Sequence, residues 1–215
     1  PSDNSIGAIF SGLEDNLTII ITEGSGAVNI GGNWYGSLYE ITPEKGYWVI
    51  SNNAITLSIP EAVPSSFDGN NFQYQLHFGN NLISYPFAVG QAVEDAISNE
   101  YNNSIWAMTG SGVAAINING KWYGSLDYLS PSSGYWIVSY GDTQFEYNQP
   151  SSDTSRQRDS DPLPDPPELF TFNQSTYQAF YWVYNADING ENLVVNEDWI
   201  GAFYGDECIG SRIWS

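Results

Sequence analysis

The sequence predicts a mainly β chain of α+β type: two repeated small antiparallel-sheet modules, each with one short helix, followed by a partial β-sandwich module. Three observations predict it. A set of aromatic and Gly motifs occurs twice in one order, short β-branched and aromatic runs are bounded by Gly, Asn and Pro, and a Pro-rich stretch separates both copies from a region of different pattern. With 41% hydrophobic, 15% aromatic and 14% charged residues, the 215-residue chain has the material for a real core.

One motif set is duplicated along the chain. Gly24-Ser25-Gly26, Trp34-Tyr35-Gly36-Ser37-Leu38, Pro43 and Gly46-Tyr47-Trp48 recur as Gly110-Ser111-Gly112, Trp122-Tyr123-Gly124-Ser125-Leu126, Pro131 and Gly134-Tyr135-Trp136. The Trp offset is 122 − 34 = 88 and the Gly-Ser-Gly offset is 110 − 24 = 86, which places two extra residues in the connecting hairpin of the second copy.

Within the first copy, Ile6, Ile9, Phe10 and Leu13 follow helical spacing behind the capping residues Asp3, Asn4 and Ser5; Val93, Ala96 and Ile97 repeat that face. Runs 17–21 and 105–108, the Trp-Tyr-Gly-Ser-Leu boxes, and runs 47–51 and 135–139 read as strands. Pro43 to Gly46 and Pro131 to Gly134 supply tight turns. These signals bound a first module at 1–60 and a second at 72–149. Residues 150–168, with Pro150, Pro162, Pro164, Pro166 and Pro167 among Ser and Asp, form an extended linker. Residues 169–215 alternate through Phe170-Thr171-Phe172, 179–184, 199–203 and 208–210, a sandwich-like pattern too short to close by itself.

Composition narrows the partners. Five Lys plus Arg against 25 Asp plus Glu give a formal charge of −20, which disfavours nucleic acid and anionic membrane surfaces, and no apolar run is long enough for a spanning helix. One Cys excludes an internal disulfide framework, and one His excludes most His-dependent chemistry.

Leu76 with Asn81-Leu82-Ile83-Ser84-Tyr85-Pro86, the two Trp-Tyr-Gly-Ser-Leu boxes and the Pro-x-x-Gly-Tyr-Trp boxes resemble tandem modules of large secreted and surface proteins of environmental Gram-negative bacteria, often with type IX secretion sorting tails. Gln178-Ala179-Phe180-Tyr181, Asp198-Trp199-Ile200-Gly201-Ala202-Phe203 and Cys208-Ile209-Gly210 resemble a second module type of the same proteins. The resemblance implies an extracellular or cell-surface location and a modular architecture, and it implies no activity.

The candidate sites are few. Trp34, Tyr35, Tyr47 and Trp48, with Trp122, Tyr123, Tyr135 and Trp136, could stack on sugar rings, but neighbours on a strand face opposite ways. Trp48 and Trp136 are expected in the core; Tyr35 and Tyr123 are the outward, ligand-binding candidates. Asp187, Asn189 and Glu191 offer alternating oxygens that read either as part of a calcium loop or, preferred, as an Asn-Gly turn with solvated carboxylates. His77 faces solvent or a module boundary, and Cys208 is a buried apolar residue rather than a nucleophile. Asn16-Leu17-Thr18 and Asn102-Asn103-Ser104, glycosylation-type triplets at equivalent places, and Asn173-Gln174-Ser175 read as turn chemistry.

These readings favour a non-catalytic structural or adhesive component of a bacterial extracellular protein, such as a filament or surface-layer subunit; the alternative is a carbohydrate-binding accessory region of a secreted hydrolase. No cofactor is expected, apart from calcium on the loop reading. The second copy has a strand at 76–86 ahead of its helix and the first has none, so the expected partners are neighbouring modules of a longer chain or a strand donated by another subunit, with polysaccharide as the ligand on the accessory reading.

Overall fold

The computed structural model describes residues 3–59, 72–150, 164–173, 179, 181, 183 and 185–214. The chain is mainly β, and it forms two compact units, residues 1–157 and 158–215.

The first unit contains both repeats. In copy 1, Ser5 caps a single helical turn, α1 (Ile6–Ile9), by accepting the Ala8 N–H on its side chain. Four strands follow: β1 (Leu17–Thr22), β2 (Ser25–Ile30), β3 (Asn33–Gly36) and β4 (Trp48–Ser51), ordered β3-β2-β1-β4 and antiparallel throughout. In copy 2, β5 (Tyr74–Leu76), β6 (Gly79–Ser84) and β7 (Gln91–Ala92) precede the turn α2 (Val93–Ala96). Then come β8 (Ile105–Thr109), β9 (Ala114–Ile118), β10 (Lys121–Gly124), β11 (Tyr128–Leu129), β12 (Gly134–Ser139) and β13 (Thr143–Phe145). The second sheet is ordered β10-β9-β8-β12-β6, the first sheet's plan with one strand added beside β12.

The strand register corrects the expected insertion. Ile20 pairs with Ala27 and Met108 with Ala115, so the hairpins match at a constant offset of 88. The residue each turn requires is a left-handed glycine, and that is Gly24 (φ 72°) and Gly112 (φ 71°). Matching Gly-Ser-Gly as a string slides the second copy by two residues. By the same offset Asn16 corresponds to Ser104, so the two glycosylation-type triplets are not equivalent.

The added strand is a bent one. β5 pairs with β13 and β6 with β12, so residues 74–84 run as one corner-turning ribbon beside 134–145. Asn81, buried at the corner, accepts the His77 N–H and donates to the His77, Gly79 and Ile137 carbonyls. Behind the ribbon Tyr74, Tyr85, Phe145 and Tyr147 pack edge to face, with ring centroids 4.8–5.7 Å apart for Tyr147 and its three neighbours. Copy 1 has a smaller core of Ile6, Ile9, Phe10, Leu17, Ile20, Ala27 and Leu38. Among the described residues nothing pairs with the outer edge of β4 over Trp48–Ser51, and Val49 is 39% exposed where its counterpart Ile137 is fully buried.

Parity also corrects the aromatic assignment. Tyr135 and Ile137 point inward from β12, so Trp136 between them is half-buried on the other face, and Trp48 matches it. The inner Trp of copy 2 is Trp122, with Trp34 as its half-buried counterpart. Tyr47 and Tyr135 fold back so that each phenol accepts a backbone N–H five residues upstream, from Thr42 and Ser130, at 2.8 Å.

In the second unit, β14 (Asp187–Ile188) pairs with β15 (Glu191–Asn192), and β16 (Trp199–Tyr204) with β17 (Glu207–Ile213). Phe170 lies in a 3-10 turn (Glu168–Phe170), not in the strand expected of Phe170-Thr171-Phe172; its ring packs on Trp199 and Phe203, and its carbonyl accepts the Ser211 hydroxyl at 2.7 Å. Of the strand expected at 179–184, Ala179, Tyr181 and Val183 lie outside strands, and the rest fall outside the described residues, as does most of the linker.

Candidate functional site

Tyr35 and Tyr123 face outward, 55% and 46% exposed, on β3 and β10. These are the edge strands farthest, in pairing order, from the strands that meet between the copies, so the two rings do not form one cleft. Lys121 Nζ sits 5.3 Å from the centre of the Tyr123 ring and covers one of its faces.

Asp187, Asn189 and Glu191 lie on the β14–β15 hairpin, whose two-residue turn is Asn189 (φ 57°) and Gly190 (φ 88°), both left-handed, with the Asp187 carboxylate accepting the Gly190 N–H at 2.9 Å. The Asn-Gly turn thus uses one Asp187 oxygen within the hairpin. Among the described residues no three His, Cys, Asp or Glu side chains gather as a metal-ion set. Cys208 is buried in β17, its Sγ directed at the Gly210 carbonyl. Asn173-Gln174-Ser175 falls partly outside the described residues.

His77 lies where the copies meet. Its Nε2 pairs with Glu23 Oε1, and Glu23 Oε2 accepts the Leu82 N–H at 3.2 Å. The Glu23 hydrogen bond, then the Phe78 carbonyl and the charge of Asp142, hold the imidazole above its ordinary pKa. Around this pair the turn of copy 1 zips onto the outer edge of β6: Gly46 donates to the Leu82 carbonyl and Ser84 to the Glu44 carbonyl, both at 3.1 Å. β6 therefore uses both edges, the inner for its own sheet and the outer for Glu44–Gly46.

Two grooves open on copy 2. One, of about 370 Å³, is lined by Gln73, Glu100, Tyr101, Gln144, Glu146 and Tyr147 beside the aromatic cluster. Burial keeps the Tyr147 phenol neutral far above its ordinary range and pushes the Tyr74 phenol up to about 12. The other, of about 590 Å³, is walled by Asn99, Asn102, Asn103, Asn117 and Asn119 and closed on one side by Tyr140. The Trp106 ring stacks on Tyr140 with centroids 6.2 Å apart and planes at 27°. Sequence reasoning missed this second groove because its residues come from three separated segments; a signal was present in the density of Asn at 99–103 and 117–119.

Compared with known protein families, curated proteins and solved structures, the chain matches none of them.

Proposed function

We propose that the chain is a non-catalytic structural or adhesive component of a bacterial extracellular or cell-surface protein, of the tandem-module kind its motifs resemble, and that its repeats associate by strand addition. The observation that carries this reading is the difference between two otherwise matching sheets. In copy 2 the bent strand 74–84 covers the edge of β12, and in copy 1 the matching edge of β4 has no partner among the described residues. A bare strand edge beside the half-exposed Val49 offers both backbone hydrogen bonds and apolar burial to an incoming strand. The occupant that fits is a strand of the 74–84 type from a neighbouring copy. The single His and the single Cys are engaged at the seam and within β17, which supports a non-catalytic role.

The test is hydrogen exchange at the β4 amides of the full chain, with and without a synthetic peptide of residues 72–87. Slower exchange at 48–51 on adding peptide, lost in Val49→Lys, is the expected result. Amides already protected in the monomer and indifferent to the peptide would remove the basis for strand addition.

A further inference from the structure

The two copies share a frame and differ in what it carries. In both sheets a β-bulge interrupts the first strand, at Thr18 in copy 1 and at Trp106 in copy 2. Thr18 spends its hydroxyl on the sheet by donating to the Ile50 carbonyl. Trp106 instead turns its ring outward onto Tyr140, which stands where copy 1 has Asn52 and is 61% exposed. Glu14 and Asp15 of copy 1 are replaced by Asn102 and Asn103. At the β9–β10 turn the left-handed position held by Gly31 (φ 60°) is held by Asn119 (φ 54°), which carries a carboxamide at the expense of backbone ease. Asn29 and Asn117 keep one turn role in both copies, accepting the N–H of Gly32 and Gly120 at 2.9 and 2.8 Å.

Every one of these changes falls around the groove beside Tyr140. Carboxylates have become carboxamides, and two aromatic rings have been added. The carboxamides are held in order: Asn117 donates to Asn102 at 3.0 Å, and Asn102 to Asn99 at 3.3 Å. Asn103 and Asn119 stay exposed, each able to donate and to accept.

In a chain of net charge −20, a groove lined by no charged side chain is selective by omission. It has no carboxylate for a cation and no Lys or Arg for an anion. A sugar ring supplies the complement, since its hydroxyls both donate and accept and its apolar face stacks on an aromatic ring. We infer that copy 2 carries a binding site for a neutral oligosaccharide, with Tyr140 as the stacking platform backed by Trp106, and with Asn103 and Asn119 reading hydroxyls. The site does not depend on the β4 edge, so strand addition can fail while this site stands.

The full chain is titrated with neutral gluco-, xylo-, manno-, galacto- and N-acetylglucosamine oligosaccharides, followed by Trp fluorescence and calorimetry. Saturable binding of at least one is expected, with an affinity unchanged when salt is raised about tenfold. Tyr140→Ala should weaken it by about tenfold. Asn119→Gly, which restores the residue of copy 1 and relieves its turn, should weaken it without loss of fold, while Tyr35→Ala should leave it intact. The inference is overturned by a panel in which nothing binds, by binding that survives both groove variants, or by salt-sensitive binding of anionic glycans alone.

Discussion

Val49 and Ile137 occupy the same position in two copies of one design, and their unlike burial separates what a side chain prefers from what its neighbours supply. Covering Val49 as Ile137 is covered would add on the order of 1 kcal/mol. The Trp residues divide in a similar way. Trp122→Ala empties a core position and should cost about 3–5 kcal/mol in denaturant unfolding, whereas Trp136→Ala, on a half-buried outer ring, should cost about half of that. His77 sets a pH dependence of known sign. Its value is raised in the folded chain by Glu23, so its contribution is complete below the ordinary histidine value of about 6.5 and is lost as pH climbs through the folded one. The melting temperature should therefore fall as pH rises from the ordinary histidine value of about 6.5 through the raised folded one, and His77→Gln should flatten that slope. Because the pair is exposed, added salt should shrink the effect.

Among the elements, the turn Pro43–Gly46 fits closely against β6. A methyl on Gly46 would lie 2.8 Å from the Ile83 carbonyl oxygen and from Leu82 Cδ1, with backbone on one side that cannot yield, whereas a methyl on Gly7 meets nothing within 4 Å. Gly46→Ala should cost about 1–3 kcal/mol and loosen the β6 edge, as read by hydrogen exchange at 82–84, while Gly7→Ala should leave that edge unchanged. The strands were legible because β-branched runs between Gly, Asn and Pro carry their own signal. The corner at His77–Gly79 was not, since the run 76–86 reads as one strand and the bend depends on Asn81 reaching back to bond 77, 79 and, across the sheet, 137. The inward Trp was misread because alternation along Gly-Tyr-Trp-Ile fixes a parity without saying which parity is inner. Phe170 left its expected strand because its ring covers Gly201, where a Cβ would stand 2.9 Å from the ring.

At the scale of the whole chain, copy 2 has a larger and more aromatic core than copy 1, to which the added ribbon contributes Tyr74. Amides of β1 and β4 should exchange through smaller openings than those of β8 and β12, and residue-resolved hydrogen exchange on the full chain checks this; equal protection in the two copies would contradict it. The groove beside Tyr140 escaped the sequence because it is assembled from the 3-10 turn Asn99–Tyr101 and the residues after it, a hairpin turn and the end of β12, and no single stretch displays it. β6 has a consequence for symmetry. One of its edges belongs to its own sheet and the other grips a turn of the preceding copy, so the contact joins unlike surfaces. A contact of that kind is heterologous: no two-fold axis relates its sides and a symmetric dimer does not satisfy it, so on the proposed strand-addition reading any further repeat joined through it would extend in one direction.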